Sequence, residues 1–208
     1  MSVAVRLVVL DVNESLSDLE PLRTRFTNSR APERLLETWF AATLRDGFAL
    51  AAAQQFRPFP EVGAAVLQGL LSGLPLTRPV DDAVSLVVEG FPLLDVHPDV
   101  PAGLRAPSAR GLRVVTLTNG SLAQSQALLE RAGVADLVEQ RLSVDDAGRW
   151  KPHPDVYAYA ARTCAVALER CAMVAVHPWD LMGAASVGMT TAWVDQQGTP
   201  WPRRHARP

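Results

Sequence analysis

Short apolar runs that each stop at polar residues constrain the fold of this chain more than any other feature. Residues 5–10 form one such run, rich in valine and leucine, and the run ends at Asp11. A continuous apolar run of this kind predicts a strand buried on both faces, as strands of a parallel sheet are. A second run, residues 112–118, ends in the polar pair Thr118 and Asn119. We therefore expect strands with polar side chains at their carboxyl ends.

Helical segments separate the later apolar runs. Gly120 and Ser121 precede a segment whose leucines fall near one helical face, and Ser121 is a suitable N-cap. Two further strands are predicted over residues 173–176, which stop at His177, and over residues 191–194. This alternation predicts an α/β fold, with a Rossmann-like parallel sheet and helices on both faces. Ligands of such folds bind at the carboxyl ends of the strands, so the polar residues there are expected to converge on one crevice.

The long interval between the first two predicted strands indicates an inserted domain. Roughly a hundred residues separate them, whereas a crossover between parallel strands needs only about a dozen. Apolar residues at helical spacing predict helices over residues 33–56, 61–72 and 79–90. We therefore expect a helical cap at residues 17–96, inserted into a core formed by residues 1–16 and 97–208.

The charge composition excludes several classes of partner. The chain of 208 residues has 20 Lys+Arg and 22 Asp+Glu, so its formal net charge is -2. This balance provides no basic surface, and neither a nucleic acid nor a membrane is expected as a partner. The apolar run near the amino terminus is too short for a membrane span and lacks a secretory cleavage pattern. Cys164 and Cys171 lack CxxC spacing and are interpreted as reduced thiols. A cytoplasmic protein is therefore expected, with a poorly ordered tail from residue 201.

Four segments, taken in order, are similar to the motifs of the haloacid dehalogenase (HAD) superfamily. They are LDVNESLSDL, TLTNGS, KPHPDVYAYA and HPWDLMGAASVGMTTAWV. Their order and gaps match the superfamily, and they cover the predicted core at both ends of the chain. Within the superfamily, the cap size and these runs most resemble the type II 2-haloacid dehalogenases. The resemblance implies a hydrolase with an aspartate nucleophile, and it bears more on the fold than on the substrate, because this fold hosts many chemistries.

Three residues match the catalytic positions of these enzymes. Asp11 matches the nucleophile, a role that a rigid, ionised carboxylate can perform. Lys151 would place an ammonium beside Asp11, keep that carboxylate ionised and neutralise charge during the reaction. In dehalogenases the acid at the position of Asp180 pairs with this lysine and helps to orient the hydrolytic water. Taken alone, Asp11 is an ordinary strand-ending residue and Lys151 a solvated loop lysine, although it is the only lysine in the chain.

Asn13 and Ser15 lie in the turn that follows the predicted nucleophile. The resemblance aligns Asn13 with a second aspartate of phosphatases, which protonates the leaving alcohol. An amide cannot supply this proton, whereas a departing halide needs none. Val176 likewise replaces an acid of the phosphatase motif, and these two losses remove much of a Mg²⁺ site. Ser15 matches a threonine that helps to fix the Asp11 loop. Asn13 also favours a turn and Ser15 a simple cap, so both interpretations stay open.

Further polar residues are predicted to bind the substrate. Thr118 and Asn119 present a hydroxyl, backbone N–H groups and an amide beside a helix N-terminus, which suits a carboxylate or a phosphate. A helix cap is the alternative. The resemblance makes Tyr157 a contact to the substrate carboxylate or to the catalytic residues, with a core tyrosine as the alternative. His177 stands where dehalogenases prefer asparagine, and a histidine can hydrogen-bond a water or act as a base.

The predicted cap departs from the dehalogenase pattern at Ala41. Dehalogenases carry an arginine two residues after a tryptophan, where it cradles the departing halide, but here Trp39 and Phe40 are followed by Ala41. Arg45, one helical turn further on, is the candidate replacement, and weak or absent halide binding is the alternative. Trp39 and Trp179 are predicted to form an apolar wall of the pocket together with other cap residues, or else to serve ordinary packing.

These patterns support three hypotheses about function. The first is hydrolytic dehalogenation of a small 2-haloalkanoic acid through an ester on Asp11, with no cofactor. The second is a phosphatase that uses Asp11, Asp180 and Mg²⁺. The third is a catalytically weak member that binds a small carboxylate or a partner protein. The family resemblance also makes a homodimer the expected assembly.

Overall fold

A parallel sheet forms the centre of the fold. The computed structural model describes residues 4–196, 198 and 201. Within these residues, five parallel strands lie in the order β3-β2-β1-β4-β5. The strands are β1 (Leu7–Leu10), β2 (Arg113–Thr118), β3 (Gln140–Ser143), β4 (Cys171–Ala175) and β5 (Thr190–Trp193). The first strand of the chain is therefore the middle strand of the sheet.

Helices surround this sheet. They are α1 (Leu22–Thr27), α2 (Leu35–Ala52), α3 (Phe59–Leu71), α4 (Val80–Val88), α5 (Val100–Ala109), α6 (Leu122–Arg131), α7 (Val144–Ala147), α8 (Pro154–Thr163) and α9 (Pro178–Ser186), with short 3₁₀ segments at Phe91–Leu93, Ala135–Leu137 and Leu168–Arg170. In the described part of the chain, none of the helices combines the length and the apolarity that crossing a bilayer requires. The expectation of a poorly ordered tail falls, apart from residue 201, outside the described residues.

The predicted α/β architecture is confirmed, and one strand was missed. The four predicted strands are present, with ends shifted by at most two residues. The missed strand, β3, has the sequence Gln-Arg-Leu-Ser and lies at an edge of the sheet, where Gln140 and Arg141 are only partly buried. An edge strand of this kind needs no apolar run along both faces, so the pattern that revealed the central strands is absent from it.

The register of the sheet brings the ends of its central strands together. Leu10, the last residue of β1, pairs with Thr116 of β2 and with Val174 of β4. The N–H of Asp11 donates to the carbonyl of Val174 at 3.0 Å, which fixes the backbone of Asp11 at the end of β1, against β4. Residues that follow β1, β2 and β4 therefore meet at the same edge, which is the usual ligand site of an open parallel sheet.

The interval between β1 and β2 forms the expected helical cap. The segments predicted over residues 33–56, 61–72 and 79–90 correspond to α2, α3 and α4. The cap has an aromatic centre, in which the ring of Trp39 lies 6.3 Å from that of Phe26 and 5.4 Å from that of Phe91. A hydrogen-bonded bridge between Ser17 and Val96 joins the two connections to the core. The boundaries at residues 17 and 96 themselves stay a prediction.

Trp150 connects the core to the cap. It immediately precedes Lys151 in the chain, is fully buried and stacks on Phe59 with 5.7 Å between the ring centroids. Its indole N–H donates to the carbonyl of Arg57 at 2.8 Å. Gly47 of α2 lies so close to this ring that any Cβ at that position would overlap it. The absence of a side chain at Gly47 is therefore what allows α2 to pack on the core at this point.

Gly47→Ala is expected to lower the free energy of unfolding by about 1–3 kcal/mol, because the added methyl group displaces the Trp150 ring. Gly69→Ala is the matched control, since Gly69 lies on the exposed side of α3 with open space around it. There alanine should raise the free energy of unfolding by about 0.5–1 kcal/mol. Urea denaturation measures both changes. A Gly47→Ala protein as stable as Gly69→Ala would contradict the close packing of α2 on Trp150.

Candidate active site

The carboxylate of Asp11 is held on both oxygens at the carboxyl end of β1. The residue is only 3% exposed. Oδ1 accepts a hydrogen bond from the Lys151 ammonium at 2.8 Å, and Oδ2 accepts one from the Ser15 hydroxyl at 2.6 Å. The Ser15 hydroxyl is itself fixed, because it accepts the backbone N–H of Val176 at 3.1 Å. Ser15 thus ties the Asp11 loop to the residue that follows β4.

Lys151 is the only lysine of the chain, and it is completely buried. Its ammonium donates to Asp11 Oδ1 at 2.8 Å, to Asp180 Oδ2 at 2.6 Å and to the carbonyl of Leu117 at 2.9 Å. An ammonium has three protons, so these contacts use its whole donor capacity. The structure therefore places Asp11, Lys151 and Asp180 in one buried cluster, with the lysine between the two acids.

Asp180, in the first turn of α9, completes this cluster from the opposite side. It is fully buried, and its Oδ1 accepts a hydrogen bond from the Tyr157 hydroxyl at 2.6 Å. The same hydroxyl lies 3.0 Å from the backbone carbonyl of Asp180. Tyr157 therefore contacts Asp180, and Asp180 has one oxygen on Tyr157 and the other on Lys151.

Burial and the shared ammonium act in opposite directions on these acids. Burial raises the pKa of Asp180 to about 6, although Lys151 partly offsets it. Burial would also raise the pKa of Asp11, but the charges of Lys151 and His177 and the hydrogen bonds of Lys151 and Ser15 hold that pKa below its ordinary value. Burial would lower the pKa of Lys151, and Asp11 and Asp180 together raise it instead. Asp11 and Lys151 are therefore charged at neutral pH.

Thr118 and Asn119 follow β2 at the same edge of the sheet. Thr118 Oγ1 accepts the backbone N–H of Gly120 at 2.8 Å, which leaves its own proton free to donate. Asn119 Oδ1 accepts the backbone N–H of Lys151 at 2.9 Å, which fixes the orientation of the amide. Its Nδ2 is buried and has no hydrogen-bond partner in the described part of the protein. A buried donor without an acceptor is unfavourable, so this amide is suited to a bound ligand.

Asn13 contacts a residue that the sequence did not single out. Asn13 Oδ1 accepts a hydrogen bond from Gln124 Nε2 at 3.2 Å, and both residues are buried. Ser121 caps α6 as predicted, because its hydroxyl accepts the N–H of Gln124 at 3.2 Å. The first turn of α6 thus orients the side chain that lies two positions beyond Asp11. Gln124 carries no motif, and only its placement at the helix start could have pointed to it.

His177 faces two carboxylates, one of which the sequence also did not reveal. Its Nε2 lies 3.4 Å from Glu14 Oε2 and 3.9 Å from Asp11 Oδ2. The imidazole ring stacks on Trp179 with 4.9 Å between centroids and lies 6.2 Å from the ring of Phe40. Burial raises the pKa of Glu14, although the nearby His177 partly offsets it. Nothing in the sequence context of Glu14 indicates which way its side chain points.

Two predicted cap contacts are not supported by the structure. The Arg45 side chain is 72% exposed and pairs with its neighbour Asp46, so it does not lie at the site. It faces solvent because Arg45 sits on the side of α2 opposite Trp39 and Thr43, which are buried. The hypothesis that Arg45 replaces the missing arginine is therefore wrong. Trp39 is buried inside the cap, where its indole N–H donates to the carbonyl of Gly63 at 2.8 Å.

A cavity of about 320 Å³ opens beside the cluster, between cap and core. Glu14 and Phe40, which both contact His177, line it, as does His97. The remaining wall comes mainly from the start of the cap, and its charged members are Asp18, Glu20, Arg23 and Glu37. On the far side of His177, Trp179 packs edge-on against Phe48 at 4.9 Å. The cavity wall is therefore aromatic at Phe40, next to His177, and mainly acidic elsewhere.

The comparisons with known proteins agree with this geometry. The sequence model of the haloacid dehalogenase-like hydrolase family matches residues 5–188. The chain therefore belongs to the haloacid dehalogenase-like hydrolases.

Several of the individual relatives are dehalogenases. Haloacetate dehalogenase H-2 of Moraxella sp. (strain B) is 31% identical over 144 residues, which are 69% of this chain and 64% of that protein. (S)-2-haloacid dehalogenase 1 of Pseudomonas sp. (strain CBS-3) is 23% identical over 97% of this chain and 91% of that protein. The matches to H-2 and to two further (S)-2-haloacid dehalogenases span between 49% and 64% of those proteins.

Solved structures of dehalogenases share the fold. One L-2-haloacid dehalogenase superposes with a TM-score of 0.87 at 25% identity, covering 97% of this chain and 91% of that chain. The L-2-haloacid dehalogenase from Xanthobacter autotrophicus, solved with chloropropionic acid covalently bound, superposes with a TM-score of 0.80 at 24% identity. That match covers 93% of this chain and 80% of the other. Both resemblances include the helical cap as well as the parallel sheet.

Lys151→Met is expected to lower the free energy of unfolding at pH 7 by about 3–5 kcal/mol, because it leaves Asp11 and Asp180 buried without a cation. The deficit should shrink as the pH is lowered towards 4, since the two acids then become protonated and neutral. Asp180→Asn is the matched variant, because it keeps the size of the side chain and leaves Lys151 paired with Asp11. It should cost clearly less than Lys151→Met in urea denaturation, and the reverse order would contradict the shared-cation arrangement.

Proposed function

We propose that this chain is a hydrolytic 2-haloacid dehalogenase that works through an ester on Asp11. The setting of the Asp11 carboxylate is the observation that carries this proposal. It is buried and charged, and Lys151 and Ser15 hold one oxygen each. A carboxylate that is ionised, fixed and shielded from water is suited to nucleophilic attack. The similarity to haloacetate and 2-haloacid dehalogenases supports the same choice of reaction.

In the first step, one oxygen of Asp11 attacks the substrate carbon that carries the halogen. The new C–O bond forms as the carbon–halogen bond breaks, and the halide leaves with the bonding electron pair. Asp11 loses its negative charge when it becomes an ester, while Lys151 stays paired with Asp180. Thr118 and Asn119 would hold the carboxyl group of the substrate, and the unpartnered Nδ2 of Asn119 supports this role.

In the second step, water attacks the carbonyl carbon of the ester at Asp11. We infer that His177 Nε2 accepts the proton of this water, since it lies 3.9 Å from Asp11 Oδ2. Glu14, 3.4 Å from the same nitrogen, would stabilise the imidazolium that forms. The tetrahedral intermediate then expels the alkoxide of the hydroxy acid, which takes the proton from the imidazolium, and the Asp11 carboxyl group loses its remaining proton to solvent. The stacking of His177 on Trp179 keeps the imidazole in place for this transfer.

Asp180 has a different role in this scheme from the one that the sequence suggested. A carboxylate that orients water must be accessible to that water, and Asp180 is fully buried. Both oxygens of Asp180 already accept hydrogen bonds, one from Tyr157 and one from Lys151. We therefore propose that Asp180 and Tyr157 position Lys151, while His177 and Glu14 handle the water.

The donor set around Asp11 does not suit Mg²⁺. Mg²⁺ prefers oxygen ligands in octahedral geometry. Here Lys151 lies between the Asp11 and Asp180 carboxylates, at 2.8 and 2.6 Å, where a bridging cation would bind. Asn13 and Val176 occupy positions where the phosphatases of the superfamily carry acids. We therefore propose that turnover needs no metal, and that phosphatase activity is not the function of this site.

Asp11→Asn is expected to abolish halide release from chloroacetate and bromoacetate, because a neutral amide is a far weaker nucleophile than a carboxylate. Asp155→Asn, at an exposed position, is the matched control and should keep the activity of the unchanged protein. Halide release is measured in each case, with and without a chelator. Full activity of Asp11→Asn would remove the scheme. Chelator-sensitive phosphate release from p-nitrophenyl phosphate would instead favour the phosphatase.

Oxygen labelling separates the ester route from direct attack by water. In a single turnover in ¹⁸O-water, the label should enter the Asp11 carboxylate and be absent from the first hydroxy acid formed. Mass spectrometry of the peptide that contains Asp11 measures this. Label in the product of the first turnover would show that water attacks the substrate directly.

His177→Phe is expected to slow ester hydrolysis by about 10²-fold or more while sparing ester formation, because it keeps a flat ring beside Trp179 but removes the base. The variant should release a burst of about one halide per protein and accumulate the Asp11 ester, which mass spectrometry detects. Glu14→Gln should give the same pattern more weakly, with Glu61→Gln on the exposed side of α3 as its control. Equal slowing of burst and steady state would contradict a base role.

We also propose a cytoplasmic location and a homodimer. The location is supported by Cys164 and Cys171, which are buried and form no disulfide. The homodimer rests on the family resemblance, and light scattering of the purified protein tests it.

A further inference from the structure

We infer that the water of the second step reaches His177 through a small cavity on the β5 side of the site, and that the proton of the reaction leaves through the same cavity. The inference rests on the proposed function, since it assumes the ester on Asp11 and the base role of His177. This cavity belongs to the core, because none of the residues that the structure describes in the cap helices α1 to α4 lines it.

The β5 cavity has a volume of about 120 Å³ and is lined by the proposed base. Glu14, Val176 and His177 form one side, and residues 193–196, at the end of β5 and just after it, form the other. Several water molecules fit in this space, since each occupies about 30 Å³ in the liquid. The larger cavity beside Phe40 shares Glu14 with it but is not lined by His177. The β5 cavity therefore gives water direct contact with the imidazole.

The wall of the β5 cavity suits water and not the substrate. Two acids, Glu14 and Asp195, line it, and its described residues include neither lysine nor arginine. A haloacid anion inside it would lose water without gaining a permanent counterion, which is unfavourable. Thr118 and Asn119, the groups proposed to hold the substrate carboxyl group, do not line it either. Substrate and water are therefore expected to occupy different sides of the site.

Hydrogen bonds at Val176 tie the wall of the β5 cavity to the reacting carboxyl group. The carbonyl of Val176 accepts the indole N–H of Trp193 at 3.0 Å, and its N–H donates to the Ser15 hydroxyl at 3.1 Å. Ser15 in turn donates to Asp11 Oδ2 at 2.6 Å, and this oxygen lies 3.9 Å from His177 Nε2. Water that enters the cavity and contacts this nitrogen is therefore close to the Asp11 carbonyl that it has to attack.

The backbone of Glu14 provides an independent sign that this wall has a function. Its φ is 61°, in the left-handed region that residues other than glycine seldom adopt. Its carbonyl accepts a hydrogen bond from His97 Nε2 at 3.0 Å, and its carboxylate lies 3.4 Å from His177 Nε2. Unfavourable backbone conformations persist only where the surrounding structure enforces them, and they concentrate at functional sites. This conformation holds Glu14 between the cavity and the imidazole.

The cavity also accounts for the proton that each turnover releases. Water from the cavity adds to the ester carbonyl at Asp11 and gives one proton to His177 Nε2. The alkoxide of the hydroxy acid leaves with the electron pair of its bond to the carbonyl carbon and takes that proton, so Asp11 is left as a carboxylic acid. His177 then accepts the remaining proton and passes it to water in the cavity, which restores the Asp11 carboxylate.

Val194 allows the cavity to be filled without changing a catalytic residue. It lines the cavity, and within the described part of the chain it packs against neither of the buried apolar clusters. Val194→Phe is expected to slow hydroxyacetate release from bromoacetate by about tenfold or more, because the base then lacks its water. Bromide release should be unchanged, since the variant leaves Asp11 and Lys151 in place. A single turnover with enzyme in excess, stopped by rapid quench, measures both products.

Three further variants attribute this effect to the filled cavity. Val194→Leu should slow hydroxyacetate release less than Val194→Phe, so the effect stays measurable if the phenylalanine variant folds poorly. Val194→Ala removes the valine side chain without filling the cavity, and it should slow neither step. Ala192→Phe is the matched control, because Ala192 lies two residues earlier on β5, is exposed and does not line the cavity. It should also change neither rate.

The outcomes separate this inference from the proposed function. Hydroxyacetate release at the rate of the unchanged protein in both Val194→Phe and Val194→Leu would overturn the water route and leave the dehalogenase proposal standing. Equal slowing of bromide and hydroxyacetate release would also overturn it, as would a Val194→Ala protein as slow as Val194→Phe, because the change would then act on the whole site. An unchanged protein that releases no bromide would instead remove the proposed function.

Discussion

The Lys151 ammonium, held between the carboxylates of Asp11 and Asp180, is the interaction on which the site depends. Two buried acids at this distance cannot both stay ionised without a cation, and the only lysine of the chain supplies it. The ammonium also anchors the loop between α7 and α8 to the carbonyl of Leu117 in the central sheet. A single side chain thus keeps Asp11 charged and joins segments that lie about 140 residues apart.

The surroundings of this lysine couple the core to the cap. Trp150, its neighbour in the chain, packs on α2 at Gly47 and donates a hydrogen bond to the carbonyl of Arg57, just before α3. Asn119 accepts the backbone N–H of Lys151 and so turns its own free amide towards the crevice. The cap therefore packs directly on Trp150, the residue that precedes Lys151 in the chain.

The sequence allowed much of the fold to be predicted, and less of the site. The buried strands β1, β2 and β4 are apolar on both faces, so each appears in the sequence as a continuous apolar run. The edge strand β3 has no such run. Motif residues at strand ends could be placed in one crevice because parallel strands end at the same edge. Glu14 and Gln124 could not be placed there from the sequence. Their contacts depend on the direction of the turn after β1 and of the first turn of α6. Arg45 does not reach the site because Ala41 and Arg45, one helical turn apart, share the exposed face of α2.

By itself, the sequence determined the α/β sheet, the inserted helices and the residues that follow each central strand, because hydrophobic periodicity and chain order carry that information. Only the tertiary structure decided how charge is shared among those residues. Three features depend on distances between segments that lie far apart in the chain. They are the number of acids that Lys151 binds, the presence of an arginine in the pocket, and the identity of the carboxylate that faces His177. Electrostatic energy varies with those distances and with burial, and neither can be read from local sequence.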